Sequence, residues 1–187
     1  MRKSVQSLAV GCGCLLLGWL LWAGLWAGPS VAANPDDFTL ESPTHNQTFK
    51  LKDARGKIVA IHFLLKTECP VCLRHTHAYA RWSQSHPEVV TLFVKPDSAE
   101  EISKWTANLS KADLEELPPI YRDPNAELAG KFAIPNGYKF HGQVVRYPGL
   151  VVLGKDGKEL FRHVGKSNTD RMSVADFEKR LAETATK

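Results

Sequence analysis

The sequence predicts an α/β domain in which a mixed central β-sheet is flanked by helices, and three observations carry that prediction. Residues 58–65, Ile-Val-Ala-Ile-His-Phe-Leu-Leu, and residues 89–94 are short, nearly continuous apolar runs of the kind expected for strands covered on both faces. Each run is followed by a stretch with helical spacing, giving a strand-helix-strand-helix order. Further on, Gly149–Leu153 and Glu159–Val164 are joined by Gly154-Lys155-Asp156-Gly157, whose Asp-Gly step is a strong hairpin signal and closes the sheet.

Each element has its own local reason. Phe38-Thr39-Leu40 and Thr48-Phe49-Lys50-Leu51 flank turn-rich residues, which predicts an N-terminal β-hairpin, and residues 53–57 form the next turn. The strand 58–65 runs directly into Cys69-Pro70-Val71-Cys72. Pro70 suits the first turn of a helix, and to about residue 85 Cys72, Thr76 and Tyr79 recur on one side at helical spacing. Ser98-Ala99-Glu100-Glu101 has the form of a capping box and opens a helix with Ile102, Trp105 and Leu109 inward. Asp123-Pro124 starts a short helix carrying Leu128, Ala129 and Phe132, with Asn136-Gly137 as its end. Ser173 caps a last helix with Val174, Phe177 and Leu181 in register.

The chain of 187 residues divides into a leader, residues 1–33, and one domain, residues 36–187, with no internal repeat. In the leader, Arg2 and Lys3 precede an apolar run over residues 8–27, then Gly28-Pro29-Ser30 and a small-residue site at Val31-Ala32-Ala33. This is the pattern of an export signal cleaved after Ala32 or Ala33. The run is also long enough to span a bilayer, so an uncleaved membrane anchor is the alternative. A lipoprotein site at Gly11-Cys12 is disfavoured, because the apolar run lies mostly after Cys12. Both outcomes place the domain outside the cytoplasm, in the periplasm or an equivalent compartment, where disulfides persist. The 24 Lys and Arg nearly balance the 20 Asp and Glu with no basic block, which argues against a nucleic-acid partner.

Of the four cysteines, Cys12 and Cys14 lie in the leader, so the domain holds one pair, Cys69 and Cys72. Cysteines three positions apart close too short a loop to restrain much unfolded-chain entropy, so stability is a poor reason for them. A thiol attacks as thiolate, and a helix N-terminus favours that anion through free N–H groups and the helix dipole. Cys69 therefore reads as the nucleophile and Cys72, one turn inside the helix, as the resolving thiol of dithiol-disulfide exchange. The same spacing is half of many zinc sites, but no second cysteine pair completes one. Cys69, Cys72 and His75 could meet copper or zinc with a fourth ligand such as His141. The favoured reading leaves His75 and His77 as exposed polar residues, since positions two apart on a helix do not face the same way. No organic cofactor and no metal is expected.

Cys69-Pro70-Val71-Cys72 after the strand, with Tyr147-Pro148-Gly149 ahead of a Gly-Lys-Asp-Gly-Lys hairpin, resembles the thioredoxin-like redoxins over most of residues 37–183. The similarity is closest to the exported branch that includes cytochrome-maturation thioredoxins and their peroxiredoxin relatives in the AhpC/TSA group. The resemblance implies a thioredoxin-like fold with the N-terminal hairpin as an extension. It also implies an exchange activity in which Cys69 and Cys72 cycle through a disulfide. Protein disulfides or dithiols would be the substrates, and an unidentified redox partner would supply or take electrons. It further implies a cis-proline at Pro148 facing the pair, and substrate contacts at Pro70 and at the Tyr147 backbone; an ordinary strand-start proline is the alternative for Pro148.

Several positions depart from the family pattern. Thr67-Glu68 stand where Trp is common, and Glu68 close to the thiolate would raise its pKa. Lys66 and His62 occupy the Thr and Pro places of the peroxidatic pattern, which demotes a thiol peroxidase using Cys69 to the alternative. His62 aligns near the buried acid that manages protons for the second cysteine in many thioredoxins. It is either a proton acceptor for Cys72 or a histidine bonded within the sheet, the second reading being favoured. Residues 136–146, with Tyr138, Phe140 and His141, either wall the active-site groove or form a surface loop. Residues 166–171 read as a polar connection. The direction of electron flow stays open, because pairs with this spacing span roughly −270 to −120 mV.

Overall fold

The computed structural model describes residues 37–66, 69–109, 116–140 and 143–185. The leader, Thr67, Glu68 and His141 lie outside them, and with these the expectations placed on an export signal, a thiolate-facing Glu68 and a fourth metal ligand. No helix among the described residues is long and apolar enough to cross a membrane.

Strands β1 (Thr39–Ser42) and β2 (Gln47–Lys50) form the N-terminal hairpin, with Thr39 opposite Lys50. A 3-10 turn at Leu51–Ala54 leads to β3 (Ile58–Phe63), then helix α1 (Pro70–Gln84), β4 (Val89–Lys95), α2 (Ala99–Leu109) and β5 (Ile120–Arg122). A second 3-10 turn, Pro124–Ala126, and the short helix α3 (Glu127–Lys131) precede a hairpin of β6 (Asn136–Phe140) and β7 (Gln143–Arg146). Strands β8 (Gly149–Leu153) and β9 (Glu159–Val164) and helix α4 (Val174–Ala185) complete the order. Seven strands share one mixed sheet in the order β2-β1-β5-β4-β3-β8-β9, while β6 and β7 pair separately.

Strand β3 lies inside the sheet, parallel to β4 and antiparallel to β8, and its side chains alternate between two apolar layers. Ala60 joins Phe93, Leu150, Val152 and Phe161 against Tyr79 of α1, Ile102 and Trp105 of α2 and Phe177 of α4. Val59, Ile61 and Phe63 face the other way, with Leu92, Val151, Leu128 and Phe132. A strand buried on both sides must be apolar at almost every position, which is what residues 58–65 supply.

The caps form as the sequence predicts. Ser98 Oγ accepts from the Glu101 N–H at 3.2 Å while the Glu101 carboxylate accepts from the Ser98 N–H at 2.8 Å, and Ser173 Oγ accepts from the Asp176 N–H at 3.1 Å.

The segment after Asp123 differs from expectation. Helix α3 ends at Lys131, Ala133 turns through a left-handed φ of 53°, and Asn136-Gly137 lie in strand β6. The register of β6 against β7 shifts between Asn136 and Tyr138, so the Asn-Gly signal marks a bulge instead of a helix end. Glycine fits there because a Cβ would stand 3.0 Å from the Tyr147 ring. The Asp123 carboxylate does cap α3, accepting from the N–H groups of Leu128 and Ala129 at 2.8 and 3.0 Å.

Candidate active site

Strand β3 carries the chain into the site, and Cys69 stands at the N-cap of α1 with extended backbone, φ −99° and ψ 99°. Its sulfur takes the place of a capping oxygen and accepts the Cys72 N–H at 3.2 Å. Pro70 follows at the first helical position, exposed. Cys69 is half-buried, and its thiol is lowered from an ordinary 9.0 to about 6. The largest cause is the hydrogen bond from the Cys72 thiol; the Cys72 N–H and the charges of Arg171 and Lys95 add to it, against burial.

Cys72 is wholly buried and shifts the other way, pushed far above the ordinary thiol range by its bond to Cys69, by burial and by the Cys69 charge. The pair thus holds one proton between a Cys69 thiolate and a Cys72 thiol, in the dithiol form.

Behind Cys72 stands a residue that the sequence had assigned only to a connection. Arg171, between β9 and α4, donates from Nη2 to Cys72 Sγ at 3.3 Å. Its Nη1 donates to the carbonyls of Asn168 and Asp170. The Asp170 carboxylate accepts from the Lys166 N–H at 2.9 Å and pairs with His163 Nε2 at 3.1 Å. No local pattern marks this arginine, since its role depends on a meeting across 99 residues.

A second unanticipated cation is Lys95, wholly buried at the end of β4. Its Nζ donates to the Leu65 carbonyl at 2.6 Å, stands 3.4 Å from the Asp97 carboxylate and lies 4.7 Å from the Trp105 ring centroid. It therefore grips the chain where β3 gives way to the cysteine motif. A lysine closing an apolar strand, followed by Pro96-Asp97, was the available signal.

His62 is wholly buried on the α1 side of the sheet, stacked on Phe93 at 5.2 Å and tilted against Tyr79 at 4.3 Å between ring centroids. Its Nδ1 pairs with His75 Nε2 at 3.0 Å, so its partner is a helix residue, neither Cys72 nor the sheet, and its Nε2 is buried without a protein partner. Both rings are held neutral: burial, then His75, pushes His62 well below the usual histidine range, and burial, then Arg171 and His163, lowers His75 to about 3. This corrects the expectation of an exposed His75. The bulk of His62 fills the space between sheet and helix, and α1 meets it with His75, one turn past Cys72. His77 Nε2 is also buried without a protein partner, near Leu73 and Asn108. Among the described residues no three His, Cys, Asp or Glu side chains are placed to hold a metal. The suggested trio fails because Arg171 meets Cys72 and His62 meets His75.

Pro148 is buried at the start of β8, where Phe63 pairs with Gly149, and one further step of that register brings it level with Leu64. The Tyr147–Pro148 peptide is trans, which corrects the cis expectation. The reason lies in the approach. The β6–β7 hairpin delivers the chain with only two residues between β7 and β8. The Tyr147 N–H extends the hairpin by donating to the Pro135 carbonyl at 3.0 Å, and the Pro148 carbonyl accepts from Gly165 at 2.8 Å. The Tyr147 N–H is therefore engaged within the fold and is not open to a substrate strand.

The sheet order, the helix-capping cysteine and its buried twin define a thioredoxin-like redoxin. Within that class the chain belongs to the AhpC/TSA family, whose profile matches residues 31–158. No curated protein matches the sequence at a significant level. Similar solved structures include a bacterioferritin comigratory protein from Xanthomonas campestris, studied for alkyl peroxide reduction. It is 15% identical, with 86% of this chain and 99% of that one covered and a TM-score of 0.65. An exposed lipoprotein thioredoxin of Streptococcus pneumoniae is 20% identical over 79% of this chain and 98% of its own, with a TM-score of 0.59. A protein assigned as the thiol:disulfide interchange protein DsbE of Chlorobium tepidum is 19% identical over 81% and 94%, also at 0.59. At these identities the likeness concerns the fold.

Proposed function

We propose that the protein is an extracytoplasmic thiol-disulfide oxidoreductase that exchanges disulfides with protein substrates. The observation that carries this reading is the asymmetry of the pair: a half-exposed thiolate at the N-cap of α1, and a wholly buried thiol that donates to it. The leader, with Arg2 and Lys3 ahead of its apolar run, supports export.

In the reductive direction the Cys69 thiolate attacks one sulfur of a substrate disulfide, and the displaced sulfur leaves with the electron pair and takes a proton. Cys72 then attacks Cys69, forming the Cys69–Cys72 bond and releasing the second substrate sulfur. A partner dithiol returns the pair to its starting form. The reverse sequence donates the disulfide. The reaction needs no organic cofactor, because the two sulfurs carry both electrons.

Two assays test the proposal. Cys72→Ser should hold substrate proteins on Cys69 as mixed disulfides that reductant releases, and the unaltered chain should reduce insulin with a dithiol donor. Rapid peroxide consumption, with no trapped protein and no insulin reduction, would replace the proposal with a thiol peroxidase.

A further inference from the structure

Resting on the exchange reading, we propose that Arg171 is a catalytic residue of the second half-reaction, holding the Cys72 sulfur as an anion while it attacks the mixed disulfide.

The geometry is specific to Cys72. Arg171 Nη2 is 3.3 Å from a sulfur with no solvent exposure, so the guanidinium is the nearest source of positive charge that sulfur can use. The arginine is also aimed. Nη1 is fixed by the carbonyls of Asn168 and Asp170, and Asp170 is tied to β9 through His163. Helix α1 holds the far side of the same loop, because the Tyr79 hydroxyl bonds the carbonyls of Met172 and Ser173, each at 3.1 Å. The helix that carries Cys72 thus also positions its arginine. Among the described residues Arg171 has no carboxylate partner, and its Nε is buried without a hydrogen bond. A guanidinium partly withdrawn from water with one donor unmet is costly unless a nearby group takes on negative charge.

The resting dithiol does not require this help, but the mixed disulfide does. In the resting pair the two largest electrostatic obstacles to a Cys72 anion are its bond to the Cys69 sulfur and the Cys69 charge. Once Cys69 is bonded to substrate it carries no charge, and burial of Cys72 is left opposed by Arg171 and, at longer range, Lys95. Cys72 then loses its proton, which ends on the departing substrate sulfur. Its sulfur bonds to Cys69, the bond from Cys69 to substrate breaks, and the substrate sulfur leaves with the electron pair and is protonated. The two cysteines are oxidised by two electrons, and the substrate is reduced by two.

The experiment separates the two half-reactions with oxidised glutathione as probe. Attack is timed in the Cys72→Ser background, and resolution by release of glutathione from the mixed disulfide on Cys69 with Cys72 present. Arg171→Gln should slow resolution about 10–100-fold, the usual scale for a hydrogen bond to a charged group, and change attack only a few-fold. Arg171→Lys should recover most of the loss. Resolution at the unaltered rate in Arg171→Gln, or equal slowing of both steps, would overturn the assignment. A measurement with arginine in place covers a variant that fails to fold. In Cys69→Ser, thiolate absorbance should show Cys72 ionising at or below the ordinary 9.0, and a higher midpoint would refute the role. Failure of Cys72→Ser to trap glutathione at all would instead remove the exchange reading.

Discussion

Cys72→Ala offers the most direct test of how Cys69 is activated. With its thiol lowered from 9.0 to about 6, Cys69 is about 90% thiolate at pH 7. The first cause of that shift is the hydrogen bond from the Cys72 side chain, while the Cys72 N–H and the two cations contribute less. Cys72→Ala removes only the first. The Cys69 midpoint should therefore rise to about 8, where the thiolate fraction at pH 7 is about 10%, a loss that the greater nucleophilicity of the more basic thiolate largely offsets in rate at that pH. The assay is the rate of iodoacetamide modification from pH 4 to 10, read by mass on Cys69 alone. A midpoint that stays near 6 would show that the backbone and the cations, instead of the buried thiol, set the acidity. A linked stability follows. A depressed acid contributes stability that is complete above its unfolded value and lost as pH falls through its folded one. The dithiol form should therefore lose stability from pH 9 to 6, by roughly 2 kcal/mol once solvent screening at the half-exposed sulfur is allowed for. Urea titration of the reduced chain against Cys69→Ser checks the sign.

Three further outcomes are expected. His75 takes a proton near 6.5 when unfolded but only at about 3 when folded, so stability should fall as pH drops from about 6.5 toward 3. His75→Gln, which keeps a hydrogen-bonding group near His62, should flatten that dependence in acid unfolding. Lys95→Met removes the cation facing buried Asp97 and the bond to the Leu65 carbonyl, and should cost about 3 kcal/mol by urea titration while raising the Cys69 midpoint. Ser173→Ala removes the cap of α4 and should lower stability by about 1 kcal/mol without changing the Cys69 alkylation rate.

The main layers were legible because burial dictates composition over short windows. Residues 58–65 have to be apolar to sit between two layers, and Pro70 and Ser98 mark helix starts through local backbone chemistry. Strand β5 was not legible, since three residues, Ile120–Arg122, are too few to show a period and form on the strength of pairing with β4 and β1. The β6–β7 hairpin was hidden by a bulge whose Asn-Gly looks like a helix end. In the site, Cys69 and Cys72 were readable because their spacing is local. The residues that adjust them were not. Arg171 and Lys95 are ordinary charged residues in the sequence, and their influence comes from burial and from contacts 99 and 30 residues away. His62 stood out as a polar residue in an apolar strand, yet its partner could be known only once α1 was laid across the sheet.

The polar residues packed behind the cysteines also couple rate to redox balance. His62, Thr76 and Lys95 are buried on the side of the sheet that carries α1, whereas the opposite positions of β3 and β4 are apolar. In so dry a layer the charges of Lys95 and Arg171 reach both sulfurs, and both favour thiolate. Only the dithiol form can use that favour, because a disulfide has no anion to stabilise. Relative to a pair of ordinary thiols, a Cys69 that ionises near 6 stabilises the reduced form about tenfold at pH 7, which makes the couple about 30 mV more oxidising. The two properties cannot be adjusted separately at Cys69: any substitution that returns its thiol toward 9.0 both slows its attack and makes its disulfide harder to reduce.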